Sequence, residues 1–328
     1  MAQIVLGIGS SHTPMLNAPV EDWPRFIERD RMRPHLDKAG NPVTYTELEK
    51  LAPPDIATQL TPEMMAQRHS AAMAELDRLR HALRDARLDV LIIVGDDQKE
   101  LYFDDNMPSI LVYRGETIRN VPLREFPGPD WARRASSRYY ETQGPREFPV
   151  HTGLAQHVID HLVEQQFDIA CADRLPEGQG EGHAFGFVHK RLLDEASPLP
   201  VLPVFLNTYY PPNQPTPGRC LKLGRAIHDA VLAWPGDLRV GVLASGGLSH
   251  FTVDEDLDHR VMDALRIRDE AALASIPRNL LNSGNSEIRN WLCMAGASWH
   301  LQLRSMNYLP CYRTPAGTGT GLCFGVWT

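Results

Sequence analysis

The chain has 328 residues, 43% of them hydrophobic, and a formal net charge of -8, so it can bury a sizeable core. It lacks a basic block to neutralise phosphates and any window with the ~20 apolar residues of a membrane span, which argues against nucleic acid and membrane partners. With no signal-peptide pattern at its start, we expect a cytoplasmic protein that handles small molecules.

Strands and helices alternate along the first third of the chain. Residues 3–9 form a predicted buried strand that ends shortly before His12. Residues 20–60 are rich in charge and proline, which predicts a lid-like excursion with short helices. Thr61 then suits the N-cap of a helix with an apolar stripe. The next predicted strand, residues 88–94, is apolar almost throughout, as is typical of strands buried on both faces of a parallel sheet.

The alternation continues to the end of the chain and indicates the α/β class. Further strands are predicted at residues 109–113, 167–171, 200–206 and 238–244, and further helices at 151–165, 218–234, 255–266 and 284–299. Residues 120–150 are predicted to form a long surface loop around one short helix. We expect a central mostly parallel or mixed sheet flanked by helices, and one domain over residues 1–328, because no repeat or low-complexity linker divides the chain.

Two histidines follow predicted strands, at the sheet edge where α/β proteins build their sites. His12 lies in residues 9–14, where Pro14 keeps the preceding residue extended. His250 ends the segment at residues 245–250, whose two glycines let the backbone approach a bound molecule closely. A loop, capping or buried structural role would also explain either histidine alone.

Two further residues complete a set of three histidines and a carboxylate. His183 follows Glu-Gly in the middle of the chain, and Glu287 lies near the start of a predicted helix. Such a set is the raw material of a non-haem Fe(II) centre with an acid/base partner. A glutamate at a helix start would equally suit the helix dipole.

The segments around these four residues resemble the class III extradiol ring-cleavage dioxygenases, the superfamily of the protocatechuate 4,5-dioxygenase β subunit. The similar segments are residues 10–14, 182–183, 245–250 and 286–291. Residues 245–250, Ser-Gly-Gly-Leu-Ser-His, are the most specific of them. The excursion and the closing segment at residues 308–321 are more similar to the gallate and 3-O-methylgallate dioxygenase branch.

The resemblance implies a role for each of these four residues. His12 and Glu287 would be ligands of Fe(II). His250 would be the acid/base beside the metal, and His183 would polarise substrate or oxygen.

A departure from the family concerns its second histidine ligand, which corresponds here to Gln98. Glutamine can bind iron through its carbonyl oxygen, but it is a weaker and neutral ligand. Gln98 is the expected third metal ligand. Asp96 or Asp97 turned inward, or a site that has lost its iron, are the alternatives.

The resemblance therefore implies an Fe(II)-dependent extradiol dioxygenase that opens a catechol-type aromatic acid, such as gallate, methoxygallate or protocatechuate, with O2. Because of Gln98, two alternatives stay open: a different metal-dependent enzyme such as a hydrolase, or a non-catalytic partner subunit. A homodimer is expected as the commonest oligomeric state.

Overall fold

A central eight-stranded sheet organises the chain, of which the computed structural model describes residues 1–123 and 126–328. In this part of the chain the strands are β1 (Gln3–Ser10), β2 (His35–Leu36), β3 (Pro42–Val43), β4 (Val90–Asp96), β5 (Ile110–Tyr113), β6 (Thr117–Asn120), β7 (Arg146–Pro149), β8 (Ala170–Ala172), β9 (Val201–Leu206), β10 (Arg239–Ser245), β11 (Leu303–Tyr312) and β12 (Gly319–Trp327). The helices are α1 (Phe26–Asp30), α2 (Tyr45–Leu51), α3 (Pro62–Asp85), α4 (Asp130–Ser137), α5 (Thr152–Glu164), α6 (His183–Phe187), α7 (Pro217–Ala233), α8 (Glu255–Ile267), α9 (Glu270–Ala274) and α10 (Ile288–Ala297).

The large sheet has the strand order β11-β12-β1-β10-β4-β9-β5-β8. Its centre is parallel, because β1 pairs with β10, β10 with β4, and β4 with β9. Antiparallel pairs flank this centre, between β12 and both β1 and β11 on one side and between β5 and β9 on the other. The predicted α/β class with a mostly parallel or mixed sheet is confirmed.

The two faces of the sheet carry separate hydrophobic cores, as strand β4 shows. Val90, Ile92 and Val94 pack into the core that helices α5, α7, α8 and α10 cover. Leu91 and Ile93 pack into the opposite core, beneath α3, α4 and α6. Side chains alternate between the faces of a strand, so a strand covered on both faces reads as a continuous apolar run. Each fully buried aliphatic side chain stabilises the fold by roughly 1.5–3 kcal/mol.

Helix α3 begins as the sequence predicts. The Thr61 hydroxyl accepts a hydrogen bond from the Met64 amide at 3.2 Å, which satisfies one of the free donors of the first turn. The predicted apolar stripe, from Met65 to Leu83, is buried against the sheet. Although α3 has 24 residues, its other face is polar, and among the described residues no helix has both the length and the apolarity to cross a bilayer.

The excursion at residues 20–60 contains the predicted short helices, α1 and α2, together with the small hairpin of β2 and β3. Trp23 anchors its start, with a fully buried ring and an indole N–H that donates to the Met15 carbonyl at 3.0 Å. Asp30, at the end of α1, forms a buried ion pair with Arg313 of the segment that follows β11. The excursion is therefore tied to segments that directly follow β1 and β11.

The prediction of a surface loop at residues 120–150 is correct for its one short helix, α4, and for residues 121–123, 126–129 and 138–145, which contain neither helix nor strand, but it misses strand β7 and the end of β6. Strand β7 pairs with β6, and Trp131, Tyr139 and Phe148 are buried. The many prolines and charged residues of this segment suggested an exposed loop, although these three aromatic side chains are buried. The part of the prediction that concerns residues 124 and 125 lies outside the described residues.

Strands β11 and β12 were not expected. In β12 three glycines mask the pattern, because glycine is uncommon in strands. All nine residues of β12 are nonetheless buried. At Gly321 a Cβ atom would lie 2.0 Å from the Asp258 carboxylate, so a side chain there would displace a group that holds Ser249. β12 pairs with β1 through partners such as Gly7 and Trp327, a contact between the two ends of the chain.

Candidate active site

Three parallel strands end side by side and bring the candidate residues together. Ser10 at the end of β1 is paired with Ser245 at the end of β10, and Asp96 ends the neighbouring strand β4. His12 and the loop that leads to His250 follow directly from these ends. The sheet edge therefore holds the site, at the position typical of α/β proteins.

His12 is buried and its ring is oriented by Ser245. The Ser245 hydroxyl donates to the Ala184 carbonyl at 2.6 Å, so it accepts from the His12 Nδ1–H at 3.0 Å. In the neutral imidazole this leaves the lone pair of Nε2 available. Nε2 lies 3.3 Å from a carboxylate oxygen of Glu287. The ring thus presents a ligand nitrogen to a neighbouring anion.

Glu287 lies just before α10 and is fully buried. Its Oε2 accepts the Gly247 amide at 2.7 Å, and its Oε1 accepts the Tyr209 hydroxyl at 2.9 Å. Oε1 also lies 3.0 Å from Nε2 of His250. Burial alone would raise the pKa of Glu287, but His250 and His12 together lower it well below the usual range. Glu287 is therefore held as a carboxylate.

Asp96 is the second buried carboxylate of the site. Its oxygens accept hydrogen bonds of 3.2 Å from Asn290 and from Gln98. Burial, followed by repulsion from Glu287, raises the pKa of Asp96 to about 6. His12, Asp96 and Glu287 each offer one ligand atom, and these atoms lie within 4.8 Å of one another.

This donor set fits a divalent cation. One imidazole nitrogen and two carboxylate oxygens are suitable ligands for Fe(II). Two buried carboxylates that repel each other are unfavourable without a positive charge between them, and a cation would remove that cost. The approach of these two buried carboxylates to one imidazole nitrogen is therefore a geometric argument in favour of a metal.

Gln98 lies at the same centre, where its amide nitrogen is 3.2 Å from Glu287 Oε1 and 3.4 Å from His183 Nε2. A half-turn of the amide would place its carbonyl oxygen there instead. Coordination by Gln98 stays a prediction. Asp97, in contrast, turns away, because its carboxylate accepts the amides of Leu101 and Tyr102 at 2.9 and 3.1 Å.

His183 begins helix α6 and forms a pair with Glu100, a residue that the sequence reasoning missed. Its Nδ1 lies 2.8 Å from Glu100 Oε2, and its backbone amide donates to the same carboxylate. Tyr140 donates a further hydrogen bond to Glu100 at 2.8 Å. Burial alone would lower the pKa of His183, but the attraction of Glu100 outweighs it and raises the pKa to about 10. The one available signal was the position of Glu100, two residues beyond Gln98.

His250 is fixed by contacts on both ring nitrogens. Nδ1 donates to the Leu248 carbonyl at 2.9 Å, so Nε2 is the nitrogen that faces Glu287. Burial alone would lower the pKa of His250, but Glu287 raises it above the usual value. The preceding residue, Ser249, is held by Asp258, which accepts its amide at 2.8 Å and its hydroxyl at 2.6 Å.

A cavity of about 240 Å³ opens beside these groups. All five predicted site residues line it, namely His12, Gln98, His183, His250 and Glu287. Tyr139 and Tyr140 line it as well, and the sequence had placed them in a surface loop. Arginines of the excursion also reach it. The cavity therefore joins the sheet edge to the excursion.

Comparison with known proteins gives a family match over most of the chain. The family model described as "Catalytic LigB subunit of aromatic ring-opening dioxygenase" matches residues 52–319, a range that includes Gln98, His183, His250 and Glu287 but not His12. The chain is 29% identical over 172 residues to a protein named gallate dioxygenase from Pseudomonas putida, covering 48% of this chain and 49% of that protein. It is 28% identical over 171 residues to a 2,3-dihydroxyphenylpropionate/2,3-dihydroxicinnamic acid 1,2-dioxygenase from Comamonas testosteroni, covering 52% and 46%. The matches span about half the length of these curated relatives.

Proposed function

Because the chain belongs to the family of the catalytic LigB subunit of aromatic ring-opening dioxygenase, we propose that it is an Fe(II)-dependent extradiol dioxygenase. Its substrate would be a catechol-type aromatic acid, opened with O2. The observation that carries the proposal is the convergence of ligand atoms of His12, Asp96 and Glu287 within 4.8 Å of one another. His250 forms a hydrogen bond with Glu287 beside them, in the same cavity.

His12 and Glu287 would hold the iron, as the resemblance implies. The third position has two candidates, Gln98 and Asp96. Donor chemistry favours Asp96, because its carboxylate is anionic and one of its oxygens already lies among the ligand atoms of the other two residues. When bound, Fe(II) supplies the redox chemistry between the catechol and O2.

His250 is the group that we assign to proton transfer with the substrate. A catechol chelates a metal best after a hydroxyl group loses its proton. Because Nδ1 of His250 is committed to the Leu248 carbonyl, proton transfer is restricted to Nε2, on the cavity side.

His183 has a different role in this proposal. Glu100 and Tyr140 hold its ring, and the pKa near 10 keeps it protonated at neutral pH. His183 therefore acts as a hydrogen-bond donor from Nε2 and stabilises negative charge on an oxygen atom in the cavity.

Oxygen uptake tests the proposal. The full chain is loaded with Fe(II) in the absence of oxygen. It is then mixed with an O2-containing solution of catechol, protocatechuate, gallate or 3-O-methylgallate, and the product masses are measured by mass spectrometry. We expect oxygen consumption and a ring-opened product that has gained both atoms of O2. At least one of the new end groups should be a carboxylic acid. Bound metal with no oxygen uptake would support a different metal-dependent enzyme. A chain that binds no metal would support a non-catalytic partner subunit.

A further inference from the structure

Two arginines of the excursion line the same cavity as the candidate active-site residues. Arg29 lies in α1, and Arg33 follows four residues later in the turn that continues this helix. A spacing of four residues places both side chains on one side of a helical turn. Both residues are half-buried and both line the cavity. The excursion thus contributes two guanidinium groups to one wall.

These two guanidinium groups lack an anionic partner in the part of the chain that the structure describes. No carboxylate of residues 1–123 or 126–328 forms an ion pair within 4.0 Å with Arg29 or Arg33. The neighbouring Arg313 differs, because Asp30 accepts two hydrogen bonds from it at 2.8 Å. The Asp30 carboxylate of this wall is therefore already neutralised.

Burial and neighbouring positive charges lower the pKa values of both arginines. Burial, followed by the positive charges of Arg33 and Arg313, lowers the pKa of Arg29 to about 10. Arg29 still carries its charge at neutral pH. Among the residues that the structure describes, this half-buried wall has two cations without an ion-pair partner, which favours an anion from outside.

The position of Arg33 connects this wall to the proposed chemistry. Its guanidinium lies over the ring of Phe251, 4.0 Å from the ring centroid. The Phe251 ring in turn packs against the His250 ring, with centroids 5.4 Å apart. At the other arginine, the Arg29 guanidinium lies 5.8 Å from the centroid of Phe126. Aromatic rings therefore accompany both cations along the cavity, and an aromatic anion matches such a surface.

We propose that Arg29 and Arg33 form the subsite for the carboxylate of an aromatic acid and determine the preference for anionic over neutral catechols. This inference rests on the proposed function for the identity of the ring. The planar guanidinium group suits two-point binding of a carboxylate better than a lysine would. Neither residue takes part in the oxidation itself.

Ligand affinity tests the subsite without turnover. Binding of 3,4-dihydroxybenzoate and of its neutral amide, 3,4-dihydroxybenzamide, is measured by calorimetry on the full chain loaded with Fe(II) in the absence of O2. We expect the acid to bind more tightly than the amide. Arg29→Gln and Arg33→Gln are each expected to weaken binding of the acid about tenfold, with little change for the amide.

Two further variants make the result specific. Arg31→Gln is the matched control, because Arg31 is exposed on the same segment and does not line the cavity; it should leave both affinities unchanged. Arg33→Lys keeps the charge but loses the planar group, so we expect an intermediate preference. It also keeps the test valid if a glutamine variant does not fold.

A preference for the acid that survives in the Arg29→Gln/Arg33→Gln double variant would overturn the inference. The two proposals fail separately. An arginine-dependent preference in a chain that opens no ring would leave the subsite standing and remove the dioxygenase proposal. Ring opening with no arginine-dependent preference would support the dioxygenase proposal and remove the subsite.

Discussion

The Arg313 guanidinium and the Asp30 carboxylate form a two-point ion pair that is almost completely buried, with both N–O distances at 2.8 Å. The pair joins the segment after β11 to the end of α1. Thr318 donates a further hydrogen bond to the same carboxylate at 2.5 Å. This contact fixes the excursion, and with it one wall of the cavity, to the sheet.

Breaking this pair should destabilise the protein strongly. Arg313→Met leaves a buried carboxylate without its partner, and we expect the free energy of unfolding to fall by ~3–5 kcal/mol. Urea unfolding followed by tryptophan fluorescence measures it. Arg266→Gln is the control, since Arg266 pairs with the exposed Asp263, and a surface pair contributes about 0–1 kcal/mol. Equal losses in the two variants would contradict the structural role of Asp30.

The same pair predicts how stability changes in acid. Burial alone would raise the pKa of Asp30, but the charge and hydrogen bonds of Arg313 bring it below its usual value. A depressed folded-state pKa means that the carboxylate stabilises the fold above the unfolded value, ~3.9, and that this contribution is lost as pH falls through the folded pKa.

Asp30→Asn removes this titration and allows its effect to be measured. We expect the difference in free energy of unfolding between the natural chain and the variant to stay constant above about pH 5 and to shrink below about pH 4. Urea unfolding at a series of pH values measures this difference. A difference that shrinks between pH 6 and 8 would assign the effect to another group.

Glu287 and His250 should separate metal binding from proton transfer. Glu287→Gln removes a ligand and its charge, so we expect little iron in the purified variant after anaerobic loading. His250→Gln should keep the iron and lower the rate of ring opening by roughly 10²–10⁴-fold, the usual contribution of a general acid or base. Iron content and oxygen uptake are measured on the same samples. Loss of iron from both variants alike would contradict the division.

Asp96 and Gln98 compete for the third position, and their variants distinguish them. We expect Asp96→Asn to weaken Fe(II) binding by at least about tenfold, because an anionic ligand becomes neutral. Gln98→Ala should have the smaller effect. Competition with a fluorescent chelator measures both affinities. The opposite ranking would assign the position to Gln98.

Residues next to predicted strands were the part of the site accessible from the sequence. His12 and His250 follow strands β1 and β10, and the ends of parallel strands must meet at one edge. Glu287 and His183 needed the family resemblance, because a helix start or a loop explains each of them alone.

Contacts between distant segments were not accessible. Glu100 is defined by its hydrogen bond to His183, 83 residues away. The proposed role of Arg29 and Arg33 depends on two features of the fold. Both residues line the cavity, and Asp30 forms its ion pair with Arg313. The glycines of β12 make this strand hard to predict from its sequence. They are needed because Trp327 and Asp258 pack closely against them. Local patterns do not contain such information.

The ion pair between Asp30 and Arg313 also joins two parts of the chain that we assign to different functions. Reactive groups lie at the sheet edge, whereas the cations that we assign to ligand choice come from a segment that Trp23 and Asp30 help to hold in place. Exchanges in residues 20–60 should therefore keep these two contacts, and those near Arg33 also have to keep Phe251 in place, because its ring packs against His250. Retargeting the protein to a differently substituted ring should therefore begin with the excursion.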